Sequence, residues 1–257
     1  MHMFKKLLAI LLACLLALPF GFASAEEAKN PSNKDYEYVL NDDGTVTITT
    51  YVGIDDDLFV PEELDGHPVT AIGAYAFFEC EGLTSVTLPE GITSIGISAF
   101  TWCDALTDIH IPDSVTSIGD AAFSWCESLT GVTIPDGVTS IGESTFLMCY
   151  SLTDVSLPGS IASIEKYAFS NCTSLTSIVL PEGLTSIADC VFLDCKSLTH
   201  ISVPASLTSI GDDAFYIGDS SILIVPNLGD ESNLTLTVPQ NSYAEAYAME
   251  NGIPYTY

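Results

Sequence analysis

Leu106-Thr-Asp-Ile-His-Ile-Pro112-Asp-Ser-Val-Thr-Ser-Ile-Gly119-Asp-Ala-Ala-Phe123-Ser-Trp-Cys126 is the stretch that decides the fold, because the chain repeats it. Its opening seven residues recur as Leu83 to Pro89, Leu129 to Pro135, Leu152 to Pro158, Leu175 to Pro181 and Leu198 to Pro204. Each step is 23 residues without insertion or deletion, so six full units run from Leu83 to Ser220. A fixed period of this length is the mark of a repeat architecture and takes precedence over any local reading.

The columns of that repeat carry one kind of side chain each. Phe100, Phe123, Phe146, Phe169, Phe192 and Phe215 share a column that Phe77 extends backward. Ile95, Ile118, Ile141, Ile164, Ile187 and Ile210 form another, extended by Ile72, and Leu83, Val86 and Leu88 with their equivalents supply three more. The unit reads as a short strand ending in Pro, a second extended piece, and a brief helical turn carrying Ala-Phe. Pro suits a strand end, because it has no N–H to give the ladder. One unit cannot bury these residues, whereas stacking turns the columns into a continuous core. At the usual strand spacing of about 4.8 Å, seven rungs predict a rod roughly 34 Å long. The fold class expected is therefore an α/β repeat solenoid.

A solenoid needs capped ends, which would otherwise expose core and unpaired edges. Tyr36 to Leu40 and Thr45 to Tyr51 alternate around Asn41-Asp-Asp-Gly44, which predicts a β-hairpin whose turn uses Asp-Gly. Leu58-Phe-Val-Pro61 opens an enlarged first repeat, with Gly66-His-Pro68 in its inserted turn and register recovered at Val69 and Ile72. Beyond Ser220 the period fails: Pro226 stands one residue early, and a polar loop to Asn233 replaces the helical turn. A last strand, Leu234 to Val238, and a helix from about Ser242 to Glu250 then predict the second cap, with Asn241 or Ser242 as N-cap and Asn251-Gly252 as stop. The expected divisions are 1–25, 26–57 (linker and hairpin cap), 58–220 (repeats) and 221–257 (degenerate repeat and cap).

Residues 1–25 read as an export signal. Lys5 and Lys6 precede an apolar run from Leu7 to Phe20, and Ala23-Ser-Ala25 offers a cleavage site before Glu26. That run is too short for a stable membrane span. Leu11-Leu-Ala-Cys14 leaves a lipoprotein anchored at Cys14 as the alternative. Beyond Ala25, four Lys and no Arg face 34 acidic residues, a formal charge of −30. Such a surface repels phosphate backbones, which excludes nucleic acid as a partner.

The repeat closely resembles the BspA-like leucine-rich repeats of bacterial surface proteins, found also in some mucosal parasites. The matching unit is cleanest at Leu106 to Cys126, and the resemblance covers about Tyr36 to Tyr257, including Gly66-His-Pro-Val-Thr-Ala-Ile-Gly73 and the closing Ser242 to Gly252. It implies a secreted or surface protein that binds matrix components or other cells. It brings no catalytic residues and no cofactor.

Several constellations remain. Cys80, Cys103, Cys126, Cys149, Cys172 and Cys195 occupy one column, along a line rather than converging on a point as metal ligands must, so no metal site is expected there. Buried thiols are the reading, with disulfide staples between rungs as the alternative. Cys190, in a variable column, is expected to be an accessible thiol. Asp42-Asp-Gly44 and Asp55-Asp-Asp57 lack the alternating ligand spacing of a Ca²⁺ loop and read as solvated turns. No Gly-x-Ser-x-Gly, His-Glu-x-x-His or phosphate-cradling loop occurs, so no enzyme is expected.

Two surfaces qualify as binding candidates. Glu79, Trp102, Trp125, Met148, Asn171, Asp194 and Ile217 precede the ladder Cys, and so mixed a column predicts at least partial exposure. Trp102 and Trp125, flanked by Met148, then stand one rung apart as a contact patch, unless the indoles merely cover core. The other surface is the strand face, with an unbroken Thr column beside Ser85, Asp108, Gly131, Asp154, Ser177 and His200, and a third column including His110. β-Propensity is enough to account for the Thr. The site residues put forward are thus Trp102, Trp125, Met148, Asp108, His110, Asp154 and His200. The expected ligand is an extracellular protein or glycan, with a self-associating envelope spacer as the alternative and a hydrolase acting on glycan or peptide, through His110 or His200, as the third reading.

Overall fold

The computed structural model describes residues 34–217 and 233–257. The expected leader and the loop around Pro226 lie outside those residues. The described chain is a β-solenoid of about nine turns of about 23 residues, with one short helix near its C-terminal end.

The aromatic column forms the spine. From Phe77 to Phe215, successive rings lie 4.8 to 6.1 Å apart and within 10° of parallel, all of them buried. Offset stacking of this kind adds about 0.5–1.5 kcal/mol per pair beyond the area each ring buries. The Phe amides from Phe77 to Phe192 also bond to the next turn, as in Phe77 N–H to Ala99 O (2.8 Å) and Phe146 N–H to Ala168 O (2.8 Å). The stack closes on tyrosines. Tyr51 lies 5.2 Å from Phe77, and Tyr247 meets Phe215 edge-on at 5.9 Å.

Two columns of short parallel strands run beside the spine. The front column comprises Asp57–Phe59, Ser85–Thr87, Asp108–His110, Gly131–Thr133, Asp154–Ser156, Ser177–Val179, His200–Ser202, Thr235–Thr237 and Tyr255–Thr256. The second comprises His67–Ile72 and the Ser-Ile pairs 94–95, 117–118, 140–141, 163–164, 186–187 and 209–210. Between them Pro makes the corner, its carbonyl accepting the amide three residues on, as in Val115 N–H to Pro112 O (3.1 Å). Residues two after each Pro alternate between Gly (91, 137, 183) and Ser (114, 160, 206). Each Ser hydroxyl donates to a carbonyl of the turn before it at 2.7 Å, as Ser160 does to Val138. At Gly137 a Cβ would lie 2.7 Å from Val115 O, and at Gly183 2.1 Å from Gly159 O. The rungs thus come in pairs, a two-unit order inside the 23-residue period.

Both caps form. Tyr36–Leu40 pairs antiparallel with Val46–Tyr51, and the latter joins His67–Ile72, so the hairpin covers the first turn of the second column. Gly44 takes φ +84°, as the Asp-Gly reading requires. The helix spans Tyr243–Asn251, capped by the Ser242 hydroxyl, which accepts Glu245 N–H, and stopped at Gly252 with φ 68°. Sequence reasoning missed the final strand, Tyr255–Thr256, which pairs with Thr235–Thr237 and covers that edge.

The front ladder is not continuous. Amide-to-carbonyl bonds link Val60 to Thr87, Leu88 to His110, Ile134 to Ser156, Leu180 to Ser202 and Val203 to Thr237. The equivalent bond from Ile111 to Thr133 is missing, and Asp108–His110 does not pair with Gly131–Thr133. At this same step the second column parts too, between Ser117–Ile118 and Ser140–Ile141. Gly131 is the one glycine in the described front strands, and a glycine weakens a strand interior. The front column parts once more after Asp154–Ser156, where the second column stays paired.

Candidate binding face

Every front strand aims its middle residue inward and the two flanking it outward, as the period of two demands. Val86, Ile109, Val132, Ile178, Ile201 and Leu236 are buried, whereas Asp108, His110, Thr133, Asp154, Ser156 and His200 are exposed. Alongside, the Thr column does more than satisfy β-propensity. Each hydroxyl donates to the carbonyl of the Thr one turn back: Thr107 to Thr84 (3.0 Å), Thr130 to Thr107 (3.1 Å), Thr153 to Thr130 (3.0 Å) and Thr199 to Thr176 (3.3 Å). The series skips Thr176 to Thr153, where the ladder parts for the second time.

A groove of about 470 Å³ opens across the first parting, with Asp108, His110 and Asp113 on one side and Gly131, Thr133, Asp154 and Ser156 on the other. Ile109, Ile111 and Val132 line it as well, at a step where the ladder pairing is interrupted while Thr130 N–H still bonds to Thr107 O at 3.2 Å. The structure therefore brings Asp108, His110 and Asp154 into one concavity, with Gly131 as a notch between the two carboxylates. Sequence reasoning named those three residues and missed the groove. Its signal was a glycine inside an otherwise side-chain-bearing strand column. His200 lies elsewhere on the face, paired with Thr235 in register and 3.2 Å from the Thr237 hydroxyl.

The aromatic candidates are arranged differently from expectation. Trp102 and Trp125 stack at 4.4 Å and 8°, and Tyr150 meets Trp125 edge-on at 6.5 Å. Trp102, however, is only 5 % exposed, and Asp194 in the same column is buried as well. The expectation of exposure fails for Trp102, whereas Trp125 and Met148 are half-buried. The reason is conformational. Glu79, Trp102, Trp125, Met148, Asn171 and Asp194 all take φ between 60° and 67°, where the backbone of a non-glycine residue is strained. Amide bonds to the next turn, such as Trp125 N–H to Leu147 O (2.8 Å), hold them there. The column is thus a left-handed corner of mixed exposure, with Trp102 and Asp194 buried, Trp125, Met148 and Asn171 half-buried and Glu79 exposed. None of these residues lines the groove.

The cysteine column consists of free thiols. Sγ of Cys103, Cys126, Cys149, Cys172 and Cys195 each donates to a Phe carbonyl of the turn before at 3.0–3.2 Å, which gives every buried donor a partner. Burial pushes the Cys195 thiol up to about 12 and raises Cys126, Cys149 and Cys172 as well, so these thiols stay protonated and unreactive at neutral pH. Cys190 is half-buried rather than open, and burial, with Asp213 adding to it, raises its pKa also. Three carboxylates of the acidic turns have hydrogen-bond partners: Asp43 accepts Thr45 N–H (3.0 Å), Asp55 accepts the Tyr51 hydroxyl (2.8 Å), and Asp57 accepts the Ser85 hydroxyl of the next turn (2.8 Å). Among the described residues no His/Cys/Asp/Glu group is arranged to hold a metal ion, and no helix is long and apolar enough to cross a membrane.

Residues 66–105 and 93–223 match the family described as BspA type Leucine rich repeat region, in six copies. The chain belongs to this family. Leucine-rich repeat proteins among solved structures agree with the solenoid. A leucine-rich repeat protein of T. pallidum is 30 % identical over 89 % of this chain and 98 % of its own, with a TM-score of 0.70. Another, from Bacteroides ovatus, is 28 % identical over 83 % of this chain and 66 % of its own, with a TM-score of 0.59. No curated protein matches the chain. Leucine-rich repeats of this kind are in general non-enzymatic scaffolds that bind proteins, which is the coarse function of the BspA-type rod.

Proposed function

We propose that this protein is secreted or displayed at the cell surface, where its front strand face binds a host or microbial glycoprotein or matrix protein. The observation that carries the reading is the shallow groove at Asp108, His110, Gly131 and Asp154, where the polar face has a partly apolar lining. Binding sites are concave and combine apolar area with a few placed polar groups. Export is supported by the leader pattern in residues 1–25, and an extracellular setting by the family resemblance. To test it, residues 26–257 are applied to an array of matrix proteins and glycans, and any partner found is rechecked with Asp108→Asn/Asp154→Asn and with Trp125→Ala. Binding lost in the first variant and kept in the second is the expected result. A partner indifferent to the double Asn variant would move the site off this face.

A self-associating spacer is the second reading, favoured by the N-terminal end. Strand Asp57–Phe59 pairs only with Ser85–Thr87 among the described residues, and Phe59 beside its open edge is 77 % exposed. Such edges invite further strands. Concentration-dependent association without ligand, abolished by Phe59→Lys, is what this reading requires.

A further inference from the structure

The first two thiols of the cysteine column sit in surroundings unlike the rest. Cys103, Cys126, Cys149, Cys172 and Cys195 are fully buried, whereas Cys80 is half-buried, with exposed Glu79 and Glu81 on either side of it. Its turn lies in register with the next one: Phe77 N–H bonds to Ala99 O (2.8 Å) and Glu79 N–H to Thr101 O (3.0 Å). Phe77 and Phe100 stack at 4.8 Å, the shortest step of the spine. Equivalent residues on adjacent turns, at a strand spacing of about 4.8 Å, fall inside the Cα separation of about 4.4–6.8 Å that a disulfide tolerates. A single carbonyl also gathers the two residues, since Phe77 O accepts both the Cys80 amide (3.3 Å) and the Cys103 thiol (3.1 Å).

Similar geometry recurs down the column, so access and ionisation decide which pair reacts. The attacking species in disulfide exchange is a thiolate. While both groups are thiols the Cys103 S–H bonds to Phe77 O; turned toward an ionised Cys80, it lowers that thiol's pKa, an effect larger than the opposing one of burial. At Cys126, Cys149, Cys172 and Cys195 burial leads instead, raising the pKa of thiols that no reagent can reach.

We propose that Cys80 and Cys103 form a redox pair at the N-terminal end of the column, closed to a disulfide by a small cationic disulfide while the deeper thiols stay reduced. The Cys80 thiolate attacks one sulfur of the reagent, which makes a mixed disulfide and releases one small thiol. Cys103 then loses its proton and attacks the Cys80 sulfur, which makes the protein disulfide and releases the second small thiol. The protein gives up two electrons and two protons, and the reagent takes both as its two thiols. The main cause that raises the Cys103 pKa, its hydrogen bond to Cys80, is gone once Cys80 has reacted, which frees Cys103 for the second step. Phe77 O loses the Cys103 donor but keeps the Cys80 amide. Glu79 and Glu81, in a chain of formal charge −28, draw a cationic reagent and repel an anionic one.

Residues 26–257 are treated with cystamine, denatured with a thiol-blocking reagent, cleaved and mapped by mass spectrometry. The expected product links Cys80 to Cys103, with Cys126, Cys149, Cys172 and Cys195 recovered as blocked thiols. Cys103→Ser should leave Cys80 holding the small thiol as a lasting mixed disulfide, and Cys80→Ser should leave every ladder thiol reduced. Cystamine should outpace oxidised glutathione by about threefold or more, a gap that high salt closes. No linked peptide in excess cystamine, a link between other ladder cysteines, a lasting mixed disulfide on Cys80 of the parent chain, or equal rates with the two reagents would each overturn the proposal.

Discussion

Phe146→Ala is the substitution that puts most weight on the stacked spine. The ring is fully buried and has a parallel neighbour on each face, Phe123 at 5.6 Å and Phe169 at 5.4 Å. Truncating a buried Phe to Ala costs about 3–5 kcal/mol in transfer and cavity terms. Two stacking contacts at about 0.5–1.5 kcal/mol each go with it. Rungs held on both sides by fixed neighbours can collapse little, so the loss belongs at the upper end, about 4–5 kcal/mol. That is a large part of the about 5–15 kcal/mol that holds a typical domain together. In an array where each turn touches only its neighbours, a break in the middle also uncouples the halves. Urea unfolding followed by circular dichroism should therefore show a lower midpoint and a shallower or split transition. Phe146→Leu, which keeps much of the volume, should cost about 1.5 kcal/mol or less. Val179→Ala, 69 % exposed on the strand face, should shift stability by no more than about 0.5 kcal/mol. If Phe146→Ala cost no more than Val179→Ala, the spine would not be what holds the rod together.

Alkaline pH should destabilise the fold through the thiol column. Burial raises the folded pKa of Cys126, Cys149, Cys172 and Cys195, so their contribution is complete below the unfolded value of about 8.5 and is lost as pH rises toward the folded values. Each thiol adds up to about 1.4 kcal/mol per pH unit to the slope, and the urea midpoint under reducing conditions should fall from pH 8.5 to 10; a flat profile would contradict the burial argument. Gly137→Ala places a methyl 2.7 Å from Val115 O and should cost about 1–3 kcal/mol in thermal or urea unfolding, whereas Ser160→Ala, which loses one bond to Val138 O, should cost only about 0.5–1.5. Hydrogen exchange should find the Ile111 and Gly142 amides, at the parted step, less protected than Leu88 and Gly119 one turn earlier, which bond to His110 O and Ile95 O. Equal protection would mean that the ladder closes there in solution.

How much of this was legible in the sequence depended on whether a column answers to one force. Phe100 to Phe215 and Ile95 to Ile210 answer to packing alone, so identity at fixed spacing revealed the core and even its phase. The caps were legible because Asp43-Gly44 and Ser242 to Gly252 carry turn and capping chemistry that works locally. For Trp102 the sequence left core cover and contact patch both open, and its inferred exposure fails because the column answers to two demands, a left-handed backbone and partial packing. The alternation of Gly91, Ser114, Gly137, Ser160, Gly183 and Ser206 stood in plain view, but its meaning needs the distance from one turn to the next. The parting beside Gly131 left one sign, a glycine in a strand column, but a glycine there does not say which hydrogen bond is lost. Tyr255–Thr256 is too short to alternate.

The binding role is only as sound as the stacking that creates the face, and the rise per turn measures that directly. Nitroxides attached by non-thiol chemistry at Thr84 and Thr199 report five turns, and at Thr107 and Thr199 four, by pulsed electron resonance. One turn removed should shorten the mean distance by about 4.8 Å, from about 24 to about 19 Å between backbone positions. Distances that do not shorten with the number of turns between the labels would mean that the repeats do not lie over one another, and the face, the groove and the spine would go together.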